Sequence, residues 1–215
     1  MTNINEEYID EYLRELVPKN KDFLVKMEEY AENNHVPIVQ PEVAQLMKVL
    51  LRANKPKTIL EIGTAIGYSA LVMSDTLDGN CKITTIERRE DMIELAEKFI
   101  SDTDYKDNIK IIHGDANEVL DNISDKYDMI FMDAAKGQYM EFFNKSIDLL
   151  NPGGMIIADN VLFRGMVASD ELVIRRKITI VKRLRKFLKH INEVEGFTSA
   201  VIPIGDGVAL IYREV

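Results

Sequence analysis

The chain has 215 residues, 46% of them apolar, and its 27 Lys/Arg against 36 Asp/Glu give a formal charge of −9. That length and apolar share suit one globular domain with a sizeable core and exclude a disordered chain, while the acidic balance argues against general nucleic-acid affinity. A single cysteine, Cys81, excludes an internal disulfide framework and points to a reducing cytoplasm.

The acidic start, MTNINEEYIDEYL, lacks the apolar run of a signal peptide. No window approaches the roughly 18 apolar residues of a membrane helix, so no membrane partner is expected. Apolar spacing predicts amphipathic helices over 5–16, 19–33 and 41–53. Tyr8, Tyr12 and Leu16 fall on one face of the first and would bury against the domain or a second subunit. After Pro56 the pattern alternates: strands over 58–63, 82–87, 109–115, 127–133 and 155–160, with helices over 90–101, up to 123, over 137–150 and over 171–193. Pro152-Gly153-Gly154 is read as the stop before the fifth strand. TSAVIPIG and VALIYRE, split by Gly205-Asp206-Gly207, predict a closing antiparallel hairpin.

Five βα units and a hairpin predict a seven-stranded, mostly parallel α/β sheet with helices on both faces. The whole chain, 1–215, is expected to be one domain, with 1–55 a helical extension and 56–215 the α/β core. Ligands of such sheets bind beyond the carboxyl ends of the strands. Those ends are Gly63, Glu87, Asp115, Asp133 and the pair Asp159-Asn160, and four of the five carry a carboxylate.

Gly63 and Gly67, in EIGTAIGYSA (61–70), permit a tight turn and close approach of backbone to a ligand. Position 65 is alanine, so the G-x-G-x-x-G dinucleotide fingerprint is missing and an NAD dehydrogenase is disfavoured. Glu87 is placed to accept hydrogen bonds from two ribose hydroxyls and Asp115 to meet an adenine amino group, which together suggest an adenosine site.

EIGTAIGYSA, Ile86-Glu87, HGDA, MDAAK and ADN occur in an order that resembles the class I, S-adenosylmethionine-dependent methyltransferases. More narrowly, the chain resembles the metal-dependent O-methyltransferases related to catechol and caffeoyl-CoA O-methyltransferases, over about residues 36–213. The resemblance implies a Rossmann-like fold and cofactor contacts from Val39, Glu61, Gly63, Ser69, Glu87, Asp115 and Asp133. Dimers are common in the family, so a homodimer is expected.

Asp133, Asp159 and Asn160 would offer three oxygen ligands from two neighbouring strand ends. Oxygen-only ligation favours Mg²⁺, with Mn²⁺ or Ca²⁺ as alternatives. In the family a catalytic lysine follows the metal-binding Asp by three residues, the position of Lys136 here. A neighbouring divalent cation disfavours a second positive charge, so an amine so placed can serve as general base. Ala134 and Ala135, between them, replace the larger side chains of the animal catechol enzyme. The carboxylate that enzyme directs at its second hydroxyl has no firm counterpart, although Asp206 lies in a comparable region.

Residues 164–190 hold nine Lys/Arg against Asp170 and Glu171, a surplus of seven that leaves the rest of the chain at −16. HVPIVQPEVAQL, MDAAKGQY and ADNVLFRG resemble the bacterial tRNA 5-hydroxyuridine methyltransferases, which form 5-methoxyuridine at the anticodon wobble position. That resemblance implies a tRNA anticodon loop as partner, with Arg164, Arg175, Arg176 and Lys177 on the RNA. The 5-hydroxyl and 4-carbonyl of that base are vicinal oxygens, as in a catechol, and an unpaired loop base can be splayed into a pocket. A small-molecule catechol- or caffeoyl-type methyltransferase and a non-catalytic nucleotide- or RNA-binding protein are the other readings. His113 is expected to pack in the core; His35 and Cys81 carry no role.

Overall fold

Three helices, α1 (Glu7–Glu15), α2 (Asp22–Asn34) and α3 (Pro41–Asn54), precede the first strand in the computed structural model, which describes residues 4–215. Pro41 opens α3, where its fixed φ suits the first helical position and its missing N–H costs no bond. The strands are β1 (Thr58–Ile62), β2 (Lys82–Glu87), β3 (Ile109–His113), β4 (Tyr127–Met132), β5 (Leu150–Ala158), β6 (Phe197–Ile202) and β7 (Val208–Arg213). They form one sheet in the order β3-β2-β1-β4-β5-β7-β6. The first five are parallel; β7 runs antiparallel to both β5 and β6. Helices α4 (Tyr68–Thr76), α5 (Glu90–Ser101), α6 (Ala116–Asn122), α7 (Tyr139–Ser146) and α8 (Ile178–Ile191) fill the crossovers.

Strand alternation splits the core into two layers. Met129 and Phe131 of β4 pack with α2, α3, α4 and α5 on one face. Ile130 and Met132 pack with α6, α7 and α8 on the other. Both faces are covered, as a parallel sheet requires.

Three expectations fail for physical reasons. Pro152-Gly153-Gly154 does not stop the chain before β5 but lies inside it. Gly153 takes φ +77° and the β4–β5 register shifts between Tyr127 and Met129, so the stop signal is spent on a bulge. Pairing pulls Leu149 and Leu150 into the sheet, the Tyr127 N–H reaching the Leu149 carbonyl at 2.8 Å, and α7 ends at Ser146. The helix expected from 171 begins at Ile178, after two short 3-10 turns, Asp170–Leu172 and Arg175–Lys177. Arg185 fixes the loop before it, bonding Asp170 at 2.7 Å and the Val167 carbonyl at 2.9 Å. Lastly, His113 is exposed, because β3 is an edge strand; its Nε2 lies 3.2 Å from the Arg88 carbonyl.

The apolar stripe of α1 faces outward, Tyr8, Tyr12 and Leu16 being 69%, 61% and 59% exposed. Among the described residues no helix is long and apolar enough to cross a membrane.

Candidate active site

Strand order reverses between β1 and β4, and the carboxyl ends of β1 to β5 open there into a cleft of about 1110 Å³. Gly63 follows β1 at φ +107°, and a Cβ at that position would run into the Asp133 carbonyl. Only glycine lets the ends of β1 and β4 come so close.

On the β2–β3 side, Glu87 Oε2 accepts the Ala65 N–H at 3.0 Å. Its Oε1 accepts the N–H groups of Arg88 and Arg89 at 2.9 and 3.0 Å. Three backbone donors thus fix this carboxylate in the cleft wall. Asp115 caps α6, its Oδ1 accepting the Asn117 N–H at 2.9 Å. Val39 and Ser69 also line the cleft.

Glu61 is a different case. It is fully buried behind the wall, not on it. Ser69 Oγ donates to its Oε1, and Thr85 Oγ1 donates to its Oε2 at 2.5 Å. Thr85 also bonds Thr64, 2.6 Å away. Burial pushes the Glu61 carboxyl up to about 7, against the pull of the two hydroxyls. The folded state therefore binds this proton more tightly than the unfolded chain. Its contribution to stability is full below about pH 4.5 and is lost as pH rises through 7. Glu61→Gln should flatten the stability profile across that window and raise stability at pH 8 by on the order of 3 kcal/mol; urea melts at pH 5 and pH 8 check it.

Asp133 follows β4, its N–H bonding the Ile62 carbonyl at 3.0 Å, and Asp159 follows β5, its N–H bonding the Met132 carbonyl at 3.0 Å. Asn160, at φ +56°, donates its N–H to Asp159 Oδ1 at 2.6 Å. Tyr139 braces both strand ends, its hydroxyl donating to the Asp159 carbonyl at 2.8 Å. Burial drives the carboxyls of Asp133 and Asp159 above their ordinary range; for Asp159 the neighbouring Asp133 adds to it, while Lys136 opposes the shift in both. Lys136 Nζ reaches Asn160 Oδ1 at 2.5 Å. Half-buried Asp133 and buried Asp159 are costly to ionise together, and a single ammonium does not neutralise both. The donor set fits a hard divalent cation. No group of three or more His, Cys, Asp or Glu is placed for a metal among the described residues, and a cation bound by Asp133 and Asp159 would need a further oxygen such as that of the Asn160 amide.

At the mouth, Arg164, Arg176 and Lys177 line the same cleft as Asp133 and Lys136. Lys177 Nζ lies 5.7 Å from the centre of the Phe163 ring. Arg175 is exposed and does not line the cleft. Asp206, only 8% exposed, does line it and accepts the Arg164 N–H, holding that residue at φ +56°.

Sequence reasoning passed over three features. The inner side of α1 walls the cleft, and its Arg14 bonds the buried Glu42 of α3 at 3.1 Å. Gln40 Oε1 is buried beside the cleft with no partner among the described residues. Tyr139 carries no sequence signal beyond its place in α7. Gln40 sits next to Val39 in a segment already singled out, and that adjacency was the available signal.

A Rossmann-like α/β sheet ending in an antiparallel hairpin, with acids at its strand ends, defines the class I methyltransferase fold. The family profile described as O-methyltransferase matches residues 10–214. The chain belongs to that family. It is 30% identical over 176 residues to the catechol O-methyltransferase of Niastella koreensis, covering 79% of this chain and 80% of that one. It is 25% identical to the caffeoyl-CoA O-methyltransferase of Stellaria longipes over 98% of this chain and 92% of that one. A solved structure from Staphylococcus aureus, provisionally named a caffeoyl-CoA O-methyltransferase, superposes with a TM-score of 0.89 at 38% identity, covering 96% and 100% of the two chains. The methyltransferase PaMTH1 of Podospora anserina, solved with S-adenosylhomocysteine, gives 0.88 at 27% identity over 98% and 97%.

Proposed function

We propose that the protein transfers a methyl group from S-adenosylmethionine to one of two vicinal oxygens, and that its acceptor is 5-hydroxyuridine at the wobble position of tRNA, yielding 5-methoxyuridine. One observation carries the choice of acceptor: the cations Arg164, Arg176 and Lys177 line the cleft that also contains Asp133 and Lys136. They suit an acceptor that brings phosphates with it. The Ala134-Ala135 pair leaves the approach open, Ala135 being exposed.

Glu87 and Asp115 are the groups for the ribose and adenine of the donor, with Val39 and Ser69 around its methionine part. Asp133, Asp159 and Asn160 would hold a divalent cation, Mg²⁺ before Mn²⁺ or Ca²⁺, which when bound draws the acceptor oxygens together and loosens the hydroxyl proton. Lys136 takes that proton as general base. Joint retention of these four side chains argues against a non-catalytic binding protein. The cytoplasm, where tRNA is found, suits the single buried thiol of Cys81.

The second reading is a small-molecule acceptor, favoured by relatives named for catechol and caffeoyl-CoA. Coenzyme A also carries phosphates, so the cationic mouth fits it as well. Radiolabelled S-adenosylmethionine with Mg²⁺ should be offered to tRNA bearing 5-hydroxyuridine, to caffeoyl-CoA and to catechol. Label in the tRNA nucleoside is expected; label only in caffeoyl-CoA or catechol transfers the function to that acceptor.

We also propose a homodimer in which a second copy covers Tyr8, Tyr12 and Leu16. Tyr12→Glu should shift sedimentation to the monomer value; a wild-type protein that sediments as monomer defeats this part.

A further inference from the structure

Between Glu171 and Glu193 the chain carries eight Lys/Arg and no Asp or Glu, in a protein whose net charge is −9. The structure divides these cations. Arg176 and Lys177 line the mouth of the cleft. Arg185 turns toward Asp170 and the carbonyls of Met166 and Val167. Lys182, Arg183, Lys186 and Lys189 stand exposed along the outer side of α8, opposite the buried Val181, Leu184, Phe187 and Ile191. Among the described residues Lys182 and Lys186 have no carboxylate partner, and Lys189 meets Glu193 only loosely, at 3.8 Å. Their spacing of four and then three residues aligns them on one helical face. At 1.5 Å per residue, the track from Lys182 to Lys189 is about 10 Å long.

The track is tied to the chemistry at its upper end. Arg183 donates to the carbonyl of Gly137 at 3.1 Å, and Gly137 follows Lys136 in the turn Lys136–Gln138. A polyanion lying along α8 would therefore run into the mouth that holds the predicted base.

We infer that the outer face of α8 is a docking surface for an RNA backbone, taking the stem that flanks the loop whose base enters the cleft. The inference rests on the tRNA reading above and adds to it the surface that binds RNA away from the reacting base. A phosphate-bearing small molecule fits the mouth, but needs no row of exposed lysines leading away from it. A membrane surface fits less well, because an interfacial helix buries its apolar side in lipid, and the apolar side of α8 is already buried in the core. RNA binding of this kind is driven by counterion release, so affinity should fall with salt in proportion to the phosphates neutralised.

The test is the triple variant Lys182→Gln/Lys186→Gln/Lys189→Gln, which leaves Arg183 and the turn it supports intact. All three side chains are exposed, and an unchanged melting temperature checks the fold. Filter binding of tRNA from 50 to 300 mM salt and initial rates of label transfer are measured for both proteins. For the variant we expect at least tenfold weaker tRNA binding and a slope of log K against log salt reduced by about two to three. Its KM for tRNA should rise with kcat unchanged, and its S-adenosylmethionine affinity should stay the same. Equal tRNA binding and equal salt slopes in the two proteins overturn the inference. So does loss in the variant of wild-type binding to phosphatidylglycerol vesicles that exceeds any loss in tRNA binding, which reassigns the surface to lipid. Failure of the acceptor reading looks different: wild type then binds tRNA with a steep salt slope that the variant lacks, yet transfers no label to it.

Discussion

Asp159→Ala is expected to reduce methyl transfer to background while leaving the fold intact, and Asp133→Ala to do the same. Asp159 is 1% exposed and sits at the end of β5 beside Asp133. Burial raises both carboxyls above their ordinary range, so folding without a cation favours their protonated forms. The sign follows: the contribution of these two groups to the metal-free fold is full below about pH 4 and is lost as pH rises through their raised folded values, about 8 for Asp159. Asp159→Asn keeps an oxygen to accept the Asn160 N–H but removes the charge, so at pH 8 without metal it should melt higher than wild type. At this chain length each kcal/mol is about 2–4 °C. Adding Mg²⁺ should reverse the ranking, raising wild type by about 2.7 kcal/mol at one hundred times its Kd and leaving Asp159→Ala unmoved. Full activity of either alanine variant in excess EDTA would sink the metal assignment, and a wild-type melt indifferent to Mg²⁺ would do so without any assay of turnover.

How far the sequence reached depended on which force set each feature. The ends of β2 and α5 match the expected 82–87 and 90–101 because charged residues bound clean apolar periods there. Strand-end acids were legible because parallel topology gathers carboxyl ends on one edge, whatever the packing details. Features decided by tertiary pairing were not. Gly153 reads as a stop until β4 pairs across it, and His113 reads as core until β3 proves to be an edge. Glu61 belongs to the same group. It sits within β1, one position short of the end, and strand alternation turns it to the face shared by Ile59 rather than into the cleft. Gln40 and the inner side of α1 reach the cleft only through contacts between distant segments, which a local pattern does not encode.

Lys136→Ala should lower kcat by about 10²-fold or more, the scale of a lost general base, with donor affinity unchanged. The geometry leaves a competing role to exclude. Lys136 Nζ lies 2.5 Å from Asn160 Oδ1, so the lysine could act only by holding that amide in place. The two roles separate in the measurements. A positioning lysine, once lost, weakens Mg²⁺ binding and lets saturating Mg²⁺ restore the rate; a lost base leaves Mg²⁺ affinity near wild type and kcat low at any concentration. Lys136→Arg sharpens the contrast, since a guanidinium can still reach Asn160 but does not give up its proton near neutral pH. It should bind Mg²⁺ and remain slow. Added primary amines should then partly rescue Lys136→Ala, with the more basic amines rescuing better once corrected for their protonated fraction. An alanine variant as fast as wild type removes Lys136 from the mechanism, and the turn it shares with Gly137 would then serve only to seat α8.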